Sequence, residues 1–113
     1  MQIWRPGDAN PIEPPGHYGH LTTANIVTND DTRQAFSVQL STAPPGAGGE
    51  MHSHQADSQL FYVLSGELSF DTGDQQFTLH AGEAVLFLPG EQHATHNNGS
   101  QESRSLVITG VVR

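Results

Sequence analysis

The stretch Gly46-Ala47-Gly48-Gly49-Glu50-Met51-His52-Ser53-His54 is where the chain declares most about its fold. Three glycines in four positions read as a turn, and the residues after them read as a strand. Residues two apart on a strand point to the same face, so His52 and His54 project side by side. That spacing suits two imidazoles on one ion, and it equally suits two surface histidines. The pair lies between the glycine-rich turn and an apolar run, Leu60-Phe61-Tyr62-Val63-Leu64. A second stretch, Gly82-Glu83-Ala84-Val85-Leu86-Phe87-Leu88-Pro89-Gly90-Glu91-Gln92-His93, carries a buried-type strand into a Pro-Gly turn and then a histidine. Asn97 falls on the same face of any strand that starts at His93. Alone, His93 reads as a loop histidine.

Working outward, Gly (12) and Pro (7) are spread so widely over 113 residues that helices have little room. Period-2 patterns take their place. Phe36, Val38 and Leu40 alternate with polar or small neighbours, as in a half-buried strand. Leu68 and Phe70 alternate with Glu67 and Ser69, Asp71-Thr72-Gly73-Asp74 reads as a hairpin turn, and Phe77 and Leu79 lie on the return strand. Further strands are expected over 84–88 and 106–112. Short strands at this spacing describe an all-β sandwich or barrel. Residues 43–49 read as a loop, and residues 5–20, with four prolines and three glycines, as an extended arm that does not pack. Leu60, Tyr62 and Leu64 lie on one face of their strand and Phe61 and Val63 on the other. A strand apolar on both faces needs a second sheet and a partner surface, so a two-layer barrel that forms a homodimer is expected.

Composition narrows the chemistry. Twelve Asp and Glu oppose four Lys and Arg, all of them Arg, for a formal charge of −8. Lysine Schiff bases are excluded, and nucleic acid is not an expected partner, because phosphate contacts need clustered cations. With no Cys, thiolate catalysis, thiolate metal sites and disulfides are excluded together. No apolar run approaches the ~18 residues of a membrane span, so no membrane partner is expected, and the chain reads as cytoplasmic by default. Seven His in so acidic a chain point to metal chemistry.

Together the two stretches resemble the cupin superfamily. Its first motif, Gly-x5-His-x-His, then three or four residues, Glu, six residues and Gly, is matched by Gly46, His52, His54, Gln59 and Gly66. Its second, Gly-x5-Pro-x-Gly-x2-His-x3-Asn, is matched by Gly82, Gly90, His93 and Asn97, with Pro89 one position late. The resemblance covers roughly residues 34–112. It implies a double-stranded β-helix (jelly-roll) barrel and one domain over residues 1–113 with an N-terminal arm over 1–20. It also implies a divalent transition metal, Mn, Fe, Ni, Zn or Cu, on His52, His54, Gln59 and His93, with open positions for a small-molecule ligand in the barrel.

Where the family usually places Glu, this chain has Gln59. An amide offers a neutral carbonyl oxygen and two N–H donors, so it leaves the ion its full +2 charge and cannot serve as a general base. Direct ligation by Gln59 is the favoured reading; a hydrogen bond to bound water or substrate is the other. The resemblance implies first an oxygenase of the quercetin dioxygenase-like group, acting on an enolic or phenolic substrate. Second comes a non-redox lyase, isomerase or cyclase on the same metal, and third a non-catalytic binding module. The residues themselves place His80 and His96 away from the ion, make Asn97 a structural hydrogen-bonder, and set Phe36, Phe61, Val63 and Phe87 around the barrel. His17 and His20 are surface residues of the arm, or else the arm folds over the mouth and brings them to the pocket.

Overall fold

The computed structural model describes residues 1–111, which hold ten strands and one short 3-10 turn, Pro6–Asp8. In chain order the strands are β1 (His17–Tyr18), β2 (Thr22–Val27), β3 (Phe36–Ala43), β4 (Gly48–His52), β5 (Asp57–Ser65), β6 (Glu67–Asp71), β7 (Gln76–His80), β8 (Ala84–Phe87), β9 (His93–His96) and β10 (Ser103–Val111). One sheet runs β1-β4-β9-β6-β7 and the other β2-β3-β10-β5-β8. Both are antiparallel, and they face each other as a jelly-roll barrel. The all-β expectation holds. Val112 and Arg113, to which the expected last strand and domain extend, lie outside the described residues.

Register decides which side chains meet inside. Directly opposed residues of an antiparallel pair share a face. Gln39, Val107, Phe61 and Val85 are successive partners across β3, β10, β5 and β8, and they point inward. Phe61, Val63, Leu68, Phe70, Phe87 and Val107 form the buried core, with Phe77, Leu79 and Val85 packed against it. Phe70 stacks on Phe77 with ring centroids 5.3 Å apart and meets Phe61 edge-on at 5.2 Å.

The structure departs from expectation at Phe36, in the arm and in the loop over 43–49. Phe36 does not line the barrel; it is 42% exposed. Val38 and Leu40 pair with Ile108 and Leu106 on the outer face, while Gln39 and Ser41 point inward. The alternation does mark a strand, but its polar side faces in, because this part of the barrel interior is an open cavity with a mixed polar and apolar lining rather than closed core. The segment 5–20 is exposed almost throughout, as expected of an extended arm, but it is docked through its backbone at two points. Ile12 exchanges backbone hydrogen bonds with Thr23 at 2.9 and 2.8 Å, and β1 pairs with β4, setting His17 opposite Gly49. Pro forfeits a donor but not a carbonyl, so a proline-rich segment can still dock through the N–H groups between its prolines. The segment 43–49 is shorter as a loop than expected, since Ala43 closes β3 and Gly48 opens β4.

The connections carry the anticipated turn chemistry. In the β6–β7 hairpin Asp71 Oδ1 accepts the Gly73 N–H at 2.8 Å, and Thr72 N–H donates to the Gln75 carbonyl. Gly66, between β5 and β6, has φ +70°, and a Cβ there would lie 2.5 Å from the Glu102 carbonyl oxygen, so only glycine fits. Asn97, 1% exposed, is the structural hydrogen-bonder expected: its Nδ2 donates to the carbonyls of Ala43 and Gln101, and its Oδ1 accepts from Gly99 N–H.

Candidate metal centre

Three imidazoles converge inside the barrel mouth. His52 ends β4, His93 opens β9 directly opposite it, and His54 lies two residues beyond the end of β4. The expectation that His54 shares a strand with His52 is thus corrected: it belongs to the loop after β4. Its position is fixed there by its carbonyl, which accepts the Gly90 N–H at 2.7 Å. One ring nitrogen from each histidine lies within 4.8 Å of those of the other two.

Two of the rings are held from behind. His52 Nδ1 sits 2.9 Å from the Glu50 carbonyl, which can only accept, so Nδ1 carries the proton and Nε2 keeps a free lone pair. His93 is fully buried and stacked on Phe87, centroids 4.1 Å apart and planes 15° from parallel, with Phe61 against it edge-on. Burial first, then the charge of His52, pushes the His93 pKa down to about 4, so this imidazole is neutral at physiological pH. His54 Nε2 is buried with no hydrogen-bond partner. An orphaned nitrogen of that kind costs about 1–3 kcal/mol unless something else takes its lone pair.

Gln59, on the inner face of β5, stands beside them. Its Nε2 donates to Thr109 Oγ1 at 3.1 Å, which turns Oε1 toward His93 Nε2 at 3.0 Å. Two ligand atoms at right angles on a transition-metal ion, each ~2.1 Å from it, stand about 3 Å apart. The spacing, the orphaned His54 nitrogen and the neutral nitrogen-rich donor set all fit such an ion. Nothing in the sequence singles out Thr109. Only the β5–β10 register, which sets it opposite Gln59, reveals its part.

His52, His54 and Gln59, with fully buried His93 behind them, open on a cavity of about 190 Å³ whose lining includes His17, Thr23, Gln39, Ser41, Thr95, Phe61, Leu68 and Val107. Among the described residues no Lys, Arg, Asp or Glu lines it. Three of the remaining histidines lie elsewhere. His80 is exposed beside Glu67 and Glu83, each 3.4 Å away. His96 lies on the outer side of β9, its Nδ1 within 2.8 Å of Tyr18 Oη. His20 is exposed and 2.8 Å from Glu13. His17 alone of the arm histidines reaches the cavity.

Two antiparallel sheets facing each other, with three histidines gathered at one mouth, define the class as a jelly-roll β-barrel. The chain belongs to the cupin family: residues 39–109 match the Cupin_2 family, described as a Cupin domain. It is 28% identical over 94 residues to the oxalate-binding protein of Thermotoga maritima, covering 82% of this chain and 78% of that one. Its fold is shared with a predicted oxalate decarboxylase from the same organism, with a TM-score of 0.90, 21% identity, and coverage of 98% of this chain and 100% of that chain. It is shared as well with the polyketide cyclase RemF from Streptomyces resistomycificus, with a TM-score of 0.84, 22% identity, and coverage of 100% and 81%.

Proposed function

We propose that the chain holds a divalent transition metal on His52, His54, Gln59 and His93 and binds there a small acid or enol that chelates through two oxygens, oxalate being the simplest. The observation that carries this reading is a neutral donor set facing a cavity of about 190 Å³ with no cationic side chain in its lining. An anion in such a cavity needs a counter-charge, and the protein offers none of its own. The ion, when bound, supplies that charge and polarises the ligand oxygens as a Lewis acid. Thr23, Ser41, Thr95 and Gln39 offer hydroxyl and amide hydrogen bonds to the ligand's outer atoms, and Phe61, Leu68 and Val107 keep water off its other side. Kinship with a protein named for oxalate binding supports the choice of ligand class.

Calorimetric titration of oxalate into Mn²⁺-loaded protein tests the reading. One oxalate per chain is expected, with binding lost after chelator treatment and in His93→Ala. Equal binding to the stripped protein would overturn it.

The cavity also narrows the oxygenase reading. Its size suits an enolate of a few carbons or a single ring, not a fused polyphenol, and its apolar wall favours oxygenation of such a ligand as the second reading. Oxygen uptake by Fe-, Mn- or Ni-loaded protein with small enols supports it. Turnover that persists without oxygen assigns the lyase, isomerase or cyclase role instead, and silence in both leaves a binding module.

The expected homodimer has a candidate face. Val38, Leu40, Leu60, Tyr62, Leu86, Leu106 and Ile108 share the outer side of β3, β10, β5 and β8. Tyr62 is 39% and Leu86 54% exposed. No strand position on this side is Asp or Glu, so two copies of a chain of charge −8 can meet here without opposing carboxylates.

A further inference from the structure

Gln59 leaves the cavity without the carboxylate that could take a proton, yet a proton must leave whenever an enol binds as its anion. Apart from His52 and His54, the one titratable side chain lining the cavity, among the described residues, is His17. It comes from the arm, not from either motif. Its backbone is fixed by β1, opposite Gly49 of β4. Its ring occupies the space a side chain at position 49 would fill: a Cβ on Gly49 would lie 2.9 Å from His17 Cδ2 and 3.0 Å from its Nε2. Gly49 is paired with inward-facing Thr95, so the ring sits over the barrel mouth on the cavity side. His17 Nδ1 is 2.9 Å from the Pro15 carbonyl. A carbonyl only accepts, so Nδ1 carries the proton, and the free lone pair is on Nε2.

The geometry points to His17 Nε2 as the proton acceptor for an enolic or other weakly acidic ligand entering the cavity. This inference rests on the reading of the cavity as a metal–ligand site. In the step, the ligand O–H bond breaks with its electron pair left on oxygen, and an N–H bond forms at His17 Nε2. The ligand then lies at the ion as an anion, and the imidazole becomes an imidazolium at the mouth. Imidazole suits the role because the lone pair on Nε2 can take a proton and the new N–H then hydrogen-bonds the anion left behind. The other titratable groups facing the cavity, His52 and His54, are committed to the ion, and no carboxylate lines it.

The experiment uses Zn²⁺-loaded full-length protein, with maltol as a neutral single-ring enol and oxalate as a ligand already ionised at pH 7. Calorimetry in two buffers of different protonation enthalpy counts the protons released. For wild type, maltol binding releases few protons, because His17 keeps them. For His17→Ala, about one proton per maltol passes to buffer and affinity falls about tenfold, the scale of one lost hydrogen bond to a charged group. His17→Gln, which can hydrogen-bond but not hold a proton here, restores part of the affinity and still releases the proton. Zinc content stays as in wild type in both variants, and oxalate, which brings no proton, still binds in both with none passing to buffer. Identical proton counts and maltol affinity in wild type and His17→Ala, with oxalate still bound, overturn the role of His17 alone. If zinc-loaded wild type takes up neither ligand, the metal–ligand reading and this inference fall together.

Discussion

Removing the buried imidazole of His93 should change how stability depends on pH, not merely its size. In the folded chain its pKa is pushed down to about 4 by burial and by the charge of His52; in the unfolded chain it titrates near the ordinary histidine value of ~6.5. Between those two values the unfolded chain binds a proton that the folded chain refuses, so unfolding is favoured as pH falls. The contribution is fully present above about pH 6.5, declines through the window, and is exhausted below about pH 4. Linkage sets its size at about 3 kcal/mol, a large share of the 5–15 kcal/mol typical of a whole domain. The assay is urea unfolding of metal-free wild type and His93→Asn at half-unit steps from pH 4 to 7.5. The substitution lowers stability by a constant amount through lost packing on Phe87, so the informative quantity is the difference between the curves. That difference should shrink by about 3 kcal/mol from pH 7 to pH 4, and by less in a His52→Asn background, where one cause of the depression is gone. Curves that stay parallel across the window would mean that His93 takes up its proton alike in the folded and unfolded chain.

The other outcomes can be stated together. His52→Ala and His93→Ala should each strip bound metal to a small fraction of the wild-type content measured by elemental analysis, whereas His80→Ala and His96→Ala should not. Equal content in all four variants would dissolve the ligand assignment. Gln59→Glu should bind divalent ions at least tenfold more tightly, since a carboxylate adds charge attraction at a distance where the amide has none, and weaken oxalate binding as the net site charge falls; competition against a metallochromic dye and oxalate calorimetry read the two effects. Leu86→Glu should shift the mass measured by light scattering from two chains to one without loss of metal, and an unchanged dimer would move the interface elsewhere.

Much of this molecule is legible in its sequence because its signals are local. Period-2 alternation marks β6 and β7 and the turn between them. The spacing Gly46, His52, His54, Gln59, Gly66 together with Gly82, Gly90, His93, Asn97 locates the four candidate ligands without any knowledge of register. The features that escape depend on partners far along the chain. The alternation of Phe36, Val38 and Leu40 marks a strand but not which side faces in, and hydrophobicity misleads where the interior is an open cavity of mixed lining. Thr109 is a bland residue in a β-rich run until the β5–β10 register sets it opposite Gln59. The arm reads as extended because prolines break regular patterns, while its docking depends on single backbone pairs such as Ile12 with Thr23 that leave no trace in composition.

One ion among His52, His54, His93 and the carbonyl oxygen of Gln59 would be seen in crystals grown with Co²⁺ and measured at its absorption edge. One strong anomalous peak per chain is expected, within bonding distance of a ring nitrogen of each histidine and of Gln59 Oε1. A peak at the exposed cluster of His80, Glu67 and Glu83, with none in the barrel mouth, would contradict that placement.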